Sequence, residues 1–294
     1  MATGPDKSTV GPLLVVVGPT ASGKTALAID LAKKFNGEVI CADSRTVYEG
    51  MDIGTAKPTA DEMDGIPHHL LSIVTPDQKF SVADFKQAAL GVIDDIGSRG
   101  KLPILVGGSG LYIDSVLYDF TFRPVNDHIR ETFKDASVDE LQAELNKQGI
   151  ELPENSLNRR YLLRSLEAGG PSHSSSELRP NTLVVGLAVD QEILKQRIEK
   201  RVHGMLEAGL VNEVKQLATQ YNWELPAMQA PAYKAFRSYV EDTVELEQAI
   251  ADFVMYDSRL AKKQRTWFKR NNSIHWVTDP SNVVDLVTTF LNTR

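Results

Sequence analysis

The sequence predicts an α/β fold: a parallel sheet flanked by helices, with a small all-helical insertion domain. Three observations carry that expectation. Short, wholly apolar runs recur along the chain, and runs without polar alternation mark strands buried on both faces, as parallel strands are. Stretches with apolar residues at helical spacing lie between these runs. From about residue 122 to residue 180 the apolar runs stop and polar, helical sequence takes over.

The elements follow in order. LLVVV (Leu13 to Val17) reads as a buried strand, and a glycine-rich loop leads from it into ALAIDLAKKF, an amphipathic helix. EVICA (Glu38 to Ala42) reads as the second strand. Phe85, Ala89, Val92 and Ile96 fall at helical spacing, and SRG ends that helix. KLPILVGG (Lys101 to Gly108) is another buried strand. VDELQAELNKQ and NRRYLLRSLE then read as helices, and GGPSHSSSELRPN as a linker, since Gly, Pro and Ser cluster there. NTLVVGLAVD (Asn181 to Asp190) resumes the strand pattern, and a long helix runs through EILKQRIEKRVHGMLEAG. The expected domains are a core of residues 1–121 with 181–294, and a helical insertion over 122–180.

Composition narrows the class. The chain has 294 residues, ample for a substantial core, and a formal net charge of −7, which weighs against a protein coated by nucleic acid. No apolar run approaches the ~18 residues a membrane span needs. The residues before the first strand lack a signal-peptide or transit pattern, so a cytoplasmic enzyme, free of the membrane and monomeric, is expected. The single cysteine, Cys41, excludes an internal disulfide and a cysteine-built zinc site, and inside EVICAD it reads as a packing residue.

The loop after the first strand is GPTASGKT, Gly18 to Thr25. Gly18 and Gly23 let backbone N–H groups turn inward around phosphate oxygens, and the following helix N-terminus favours negative charge. Thr20, Ala21 and Ser22 complete the cradle, Lys24 adds a point charge, and Thr25 can ligate the Mg²⁺ that accompanies phosphates. The expected core is therefore phosphate-loop NTPase-like. The loop recognises oxygens and specifies no nucleoside, so the facing residues must decide what the phosphates belong to.

Asp43 follows the second strand directly, where the carboxyl ends of parallel strands border the ligand crevice. It could act as a general base, cap a turn, or help to hold magnesium. The strand PILVGG continues as GGSGLY, with Ser109, in place of the Asp that many phosphate-loop ATPases carry there. His68 and His69 are adjacent, so they point apart and read as structural residues of a loop.

Positive charge gathers in three segments. Arg259 to Arg270 holds six Lys or Arg residues and no acid; in a helix Arg259, Lys262, Lys263 and Arg270 would share a face, while Leu260, Trp267 and Phe268 turn inward. Such a face suits a phosphate backbone, or is simply solvated. Arg159, Arg160 and Arg164 form a second cluster, and Arg197 and Arg201 a third.

GPTASGKT, DSRTVYEGMDIGTAKP, GIPHHLL, ADF, ILVGGSGLY, NRRYLLRSLE, RVHGMLEAGLVNEV and LAKKQRTWF, in that order and spanning nearly the whole chain, resemble the tRNA dimethylallyltransferase (tRNA isopentenyltransferase) family. DSRTVY with MDIGTAKP is far more specific than the phosphate loop. The resemblance implies that the loop holds the diphosphate of dimethylallyl diphosphate, with Mg²⁺. The prenyl group then passes to N6 of the adenosine next to the anticodon, on its 3′ side, in a tRNA anticodon stem-loop. It further implies that Asp43 is the base and that Arg201 and Thr25 serve the diphosphate. Asp43, Ser44, Arg45, Thr46, Ser109, Arg130, Asn158, Arg159, Arg160 and Arg164 match positions near the RNA, and the basic segment of Lys262, Lys263 and Arg270 is expected to join them. Two departures stand out. Ser156, Leu157 and Asn158 replace the family's usual Pro-Asn-Asp, and Ala232-Tyr233 replaces Gly-Tyr, where a required positive φ would oppose alanine.

The other readings are prenylation of free adenine nucleotides, a phosphate-loop small-molecule kinase with Asp43 activating a hydroxyl, and a non-catalytic RNA-binding switch. The basic segment and the insertion disfavour the first of these.

Overall fold

The computed structural model describes residues 10–120, 122, 126–169 and 177–293. The chain forms two compact units, one from Met1–Val116 with Arg179–Arg294 and one from Leu117–Leu178. In the linker read from GGPSHSSSELRPN, residues 170–176 lie outside the described residues.

The larger unit opens with β1 (Leu13–Val17), α1 (Lys24–Lys34), β2 (Gly37–Ala42), α2 (Ala60–Met63), β3 (His68–His69), α3 (Val82–Ser98) and β4 (Leu102–Gly107). After α4 (Gly110–Leu117) the chain enters the smaller unit, with α5 (Asp127–Thr132), α6 (Val138–Lys147) and α7 (Arg159–Ala168). It returns through β5 (Thr182–Leu187), α8 (Gln191–Glu207), α9 (Leu210–Gln220), α10 (Pro231–Val240), α11 (Leu246–Phe268), β6 (Ile274–Val277) and α12 (Val283–Asn292).

All strand pairs are parallel, in the order β3-β2-β4-β1-β5-β6. In the central strands β2, β4, β1 and β5 both faces are buried, which is why they read as largely apolar runs, whereas edge strand β6 exposes His275 and Trp276. Leu14, Val16, Val39, Cys41, Ile104 and Val185 pack against Leu27, Ala28 and Leu31 of α1 and Val283 and Val287 of α12. Leu13, Val15, Ile40 and Leu105, which alternate with them, are also fully buried. On α3 the core positions are Phe85, Ala89, Ile93 and Ile96; Ile93 takes the place expected of Val92, which is only half-buried. A second apolar cluster joins α8–α11 to the segment after β2, with Met51, Val202, Tyr233, Phe236 and Phe253 buried in it. In the smaller unit Leu141 and Leu145 pack on Leu162 and Leu166.

Register positions the site. Val17 pairs with Gly107 and Gly107 with Ala42, so the loops after β1, β4 and β2 leave the sheet side by side. Gly18, Gly108 and Asp43 therefore begin at one level, at the carboxyl edge where such folds bind ligands.

His68 and His69 lie in a strand rather than a loop. His69 Nε2 is 2.8 Å from Oε2 of Glu38, a buried carboxylate that also accepts from Arg99 NH1 (2.5 Å) and Lys101 Nζ (2.7 Å). Hydrogen bonding from Arg99 holds the Glu38 carboxyl far below the usual range, against the opposing effect of burial. A depressed pKa contributes stability that is present above the unfolded value, near 4.3, and lost as pH falls through the folded value. Glu38→Gln should therefore cost about 2 kcal/mol at pH 7, a figure discounted because Arg99 and Lys101 still reach water. Urea unfolding of the two proteins should show that gap narrowing below about pH 4.

Candidate active site

The loop from Gly18 to Thr25 is local in origin. Gly23, just before α1, has φ +91°, a left-handed conformation that a side chain would strain. Ala21 also sits at positive φ, 61°, a cost that phosphate-binding loops bear where amides must converge. Ser22 is buried and its hydroxyl has no hydrogen-bond partner. Thr25 lies in the first turn of α1, half-buried.

One pocket gathers residues that are remote in sequence. Thr20 and Lys24 of the loop share it with Asp43, Arg45, Arg201, Asp257, Leu260 and Gln264, and Gly54, Thr55, Ala56, Met205, Ala230 and Pro231 complete its wall. Desolvation lowers the Lys24 ammonium to about 8, with the Asp43 carboxylate acting in the opposite sense. Asp43 Oδ1 accepts from the Arg45 amide at 2.8 Å. Asp43 thus caps its own turn with one oxygen, and its side chain lines the pocket. Beside it, the Ser44 amide donates to Ser109 Oγ at 3.0 Å, and Thr46 is buried with its hydroxyl unpartnered.

Two residues of this pocket escaped the sequence reading. Asp257, on α11, accepts from Arg201 NH2 of α8 at 2.5 Å. Burial raises its pKa, and Arg201 opposes that rise. Gln264 Oε1 accepts from the Thr20 amide at 2.7 Å, holding an N–H that a phosphate oxygen could use. Gly108 makes room for it, since a Cβ there would lie 2.3 Å from Gln264 Nε2. The available signal was modest: an acid just ahead of a basic segment, and one uncharged amide within it. Arg197, from the same helix as Arg201, donates to the Ser22 carbonyl at 3.4 Å.

The basic segment differs in one respect from expectation. Arg259, Lys262 and Lys263 are exposed on α11, but the helix ends at Phe268 and Arg270 lies in the turn beyond it. Phe268 is buried, and Trp267 Nε1 donates to Asp114 at 2.7 Å. Burial pushes that carboxyl up to about 6, against the effect of the indole bond.

Within the smaller unit most of the expected RNA contacts already have structural work. Arg159 donates to the carbonyls of Phe133, Lys134 and Ala136, at the end of α5. Arg130 and Arg164 both pair with Glu167, whose side chain is buried. Asn158 caps α7, accepting from the Arg160 amide at 3.0 Å. Of the Arg159, Arg160 and Arg164 cluster, two arginines are thus held by partners within this unit. Arg160, Tyr161 and Leu157 are exposed, Leu157 by 83%. In the larger unit, Ala232 sits in the first turn of α10, fully buried and with no positive φ, so alanine meets no strain there.

Among the described residues no helix is long and apolar enough to cross a membrane, and no group of three or more His, Cys, Asp or Glu could hold a metal ion.

The chain is similar to known proteins along nearly its full length. The family model for IPP transferase matches residues 46–271. A tRNA dimethylallyltransferase of Exiguobacterium sp. is 44% identical over 280 residues, 90% of each chain. The one from Bacillus subtilis is 40% identical over 286 residues, 92% of this chain and 91% of its own. The crystal structure of a tRNA isopentenylpyrophosphate transferase from Bacillus halodurans matches with a TM-score of 0.75 at 36% identity, covering 96% of this chain and 97% of that one. A eukaryotic dimethylallyltransferase acting on tRNA matches with a TM-score of 0.86 at 26% identity, over 97% of this chain and 80% of that one. A family match over more than half of the residues, and identities of 40% and 44% over about nine-tenths of the chain, mean that the chain belongs to the IPP transferase family of enzymes.

Proposed function

We propose that this enzyme transfers a dimethylallyl group from dimethylallyl diphosphate to N6 of the adenosine 3′-adjacent to the anticodon in tRNA, in the cytoplasm, releasing diphosphate. The observation that carries the reading is one pocket in which a phosphate loop, a carboxylate and a guanidinium meet an apolar wall. Met205, Leu260, Ala230 and Pro231 offer a short hydrocarbon chain a surface that a ribose would not favour. Lys24 and Arg201 meet the charge that grows on the diphosphate as the allylic C–O bond breaks. The N6 lone pair forms the new bond to the allylic carbon, and Asp43 takes the N6 proton. An adenine amine is a weak nucleophile, so fixing it beside that carbon contributes as much as the base.

Magnesium suits a hydroxyl donor such as Thr25, which lies half-buried in the first turn of α1 directly after the loop. Thr25 and the substrate's own oxygens would hold the ion, since Mg²⁺ favours few protein ligands and keeps several waters. When bound it neutralises diphosphate charge.

The RNA side of the reading uses Ser44, Arg45, Thr46 and Ser109 around the pocket and the exposed cations of α11. Within the insertion, Arg130, Asn158, Arg159 and Arg164 shape the surface and Arg160 presents charge directly. Lys262→Ala, Lys263→Ala and Arg270→Ala combined should weaken tRNA binding and flatten its salt dependence, because fewer counterions are released. Dimethylallyl diphosphate affinity should hold. Unchanged tRNA affinity and salt slope would assign this face to solvent.

Incubation with Mg²⁺, dimethylallyl diphosphate and either unmodified tRNA or AMP, and separately with ATP and tRNA, tests the function. A prenyl mass increment on tRNA is expected. Product on AMP alone, or only from ATP, would overturn the reading.

A further inference from the structure

The pairing of Arg201 with Asp257 has a cost that calls for a reason. Both line the phosphate-loop pocket, and the Asp257 side chain is 5% exposed. A buried carboxylate beside a site for a polyanion opposes binding of that anion. Its pairing with Arg201 also leaves the Arg201 Nε–H buried without an acceptor. The two features make sense together. An arginine has many rotamers, and tying one terminal nitrogen to a carboxylate immobilised by burial orients the planar fork. The Nε–H is the donor of that fork left without a partner in the protein.

We propose that Asp257 is a positioning residue: it holds the Arg201 guanidinium so that the unpaired Nε–H meets a diphosphate oxygen as the allylic bond breaks. This rests on the prenyl-transfer reading above. Asp257 touches no reacting atom and acts through Arg201. Its negative charge offsets the cations of the pocket in the resting enzyme, so it favours orientation at the expense of ground-state attraction.

A double-mutant cycle of Asp257→Asn and Arg201→Gln tests this, read on single-turnover prenyl transfer to tRNA and on calorimetric affinity for inorganic diphosphate. Asp257→Asn should slow transfer about 10-fold or more, by analogy with outer partners that orient ligating side chains. Its diphosphate affinity should equal or exceed that of the parent, because a negative charge has left the pocket. Arg201→Gln should slow transfer about 100-fold. The double variant should be slower than Arg201→Gln by no more than about 2-fold, since the lost interaction is shared.

Additive losses, or a diphosphate affinity that falls in step with transfer, would overturn the proposal. Should Asp257→Asn fail to fold, Asp257→Glu enters the same cycle, keeping the charge but displacing it by one methylene; additivity there overturns it equally. A parent enzyme that does not prenylate tRNA would overturn the functional reading and this proposal together, whereas an active parent with an additive cycle overturns this proposal alone.

Discussion

Asp43→Asn is expected to slow single-turnover prenyl transfer by about 100- to 10,000-fold, the usual contribution of a positioned general base. The substitution is well matched to the geometry. Asp43 Oδ1 accepts from the Arg45 amide at 2.8 Å, and an asparagine can keep that bond through its own Oδ1. Only the second oxygen changes, to an NH₂ group that cannot take up the N6 proton at neutral pH. The turn should therefore stay closed and both substrates should still bind. The assay must follow prenylated adenosine, because loss of phosphoryl transfer from ATP would equally follow from a kinase. If Asp43→Asn prenylates tRNA at the parental rate while magnesium affinity collapses, Asp43 belongs to the metal site and another group is the base.

Lys24→Ala and Arg201→Ala should each lower substrate-saturated turnover by about 100-fold, the loss typical of one transition-state donor. Each removes a positive charge from a leaving group whose negative charge grows during bond cleavage. The Lys24 ammonium is desolvated and donates to the Pro19 carbonyl at 3.3 Å, so it is presented from within the loop itself. Arg201 comes from α8 and is held from α11. Turnover at saturating substrate is the decisive quantity, because a group that only assisted binding would raise KM and leave kcat intact. Full activity of Arg201→Ala would remove it from the site and leave the loop, with the magnesium proposed for it, to act alone.

The α/β class was legible because both faces of the sheet are covered. LLVVV, EVICA and PILV carry no polar alternation, and burial on two sides is what removes it. The helix edges were less so: Val92 and Ile93 are adjacent, and only the packing of α3 shows that Ile93 faces the core. The end of α11 at Phe268 was equally hidden, since no Gly or Pro marks it.

What the sequence determined by itself is chemistry carried by contiguous backbone. Eight residues from Gly18 to Thr25 read as an anion cradle whatever lies elsewhere, because strand, turn and helix N-terminus are consecutive in the chain. Asp43 could be found for a related reason: it directly follows a strand whose carboxyl end must reach the crevice. What only the tertiary structure decided are the pairings between distant elements. Thr20 meets Gln264 across 244 positions and Arg201 meets Asp257 across 56, contacts set by how α8 and α11 pack, which no local pattern encodes. The same holds for the insertion, where folding supplies Glu167 as the partner of Arg130 and Arg164 and three backbone carbonyls as the partners of Arg159, pairings that the sequence does not show. A side chain's type is written in the sequence, but whether its charge is spent inside the protein or left for a ligand depends on which neighbours folding brings within hydrogen-bond reach.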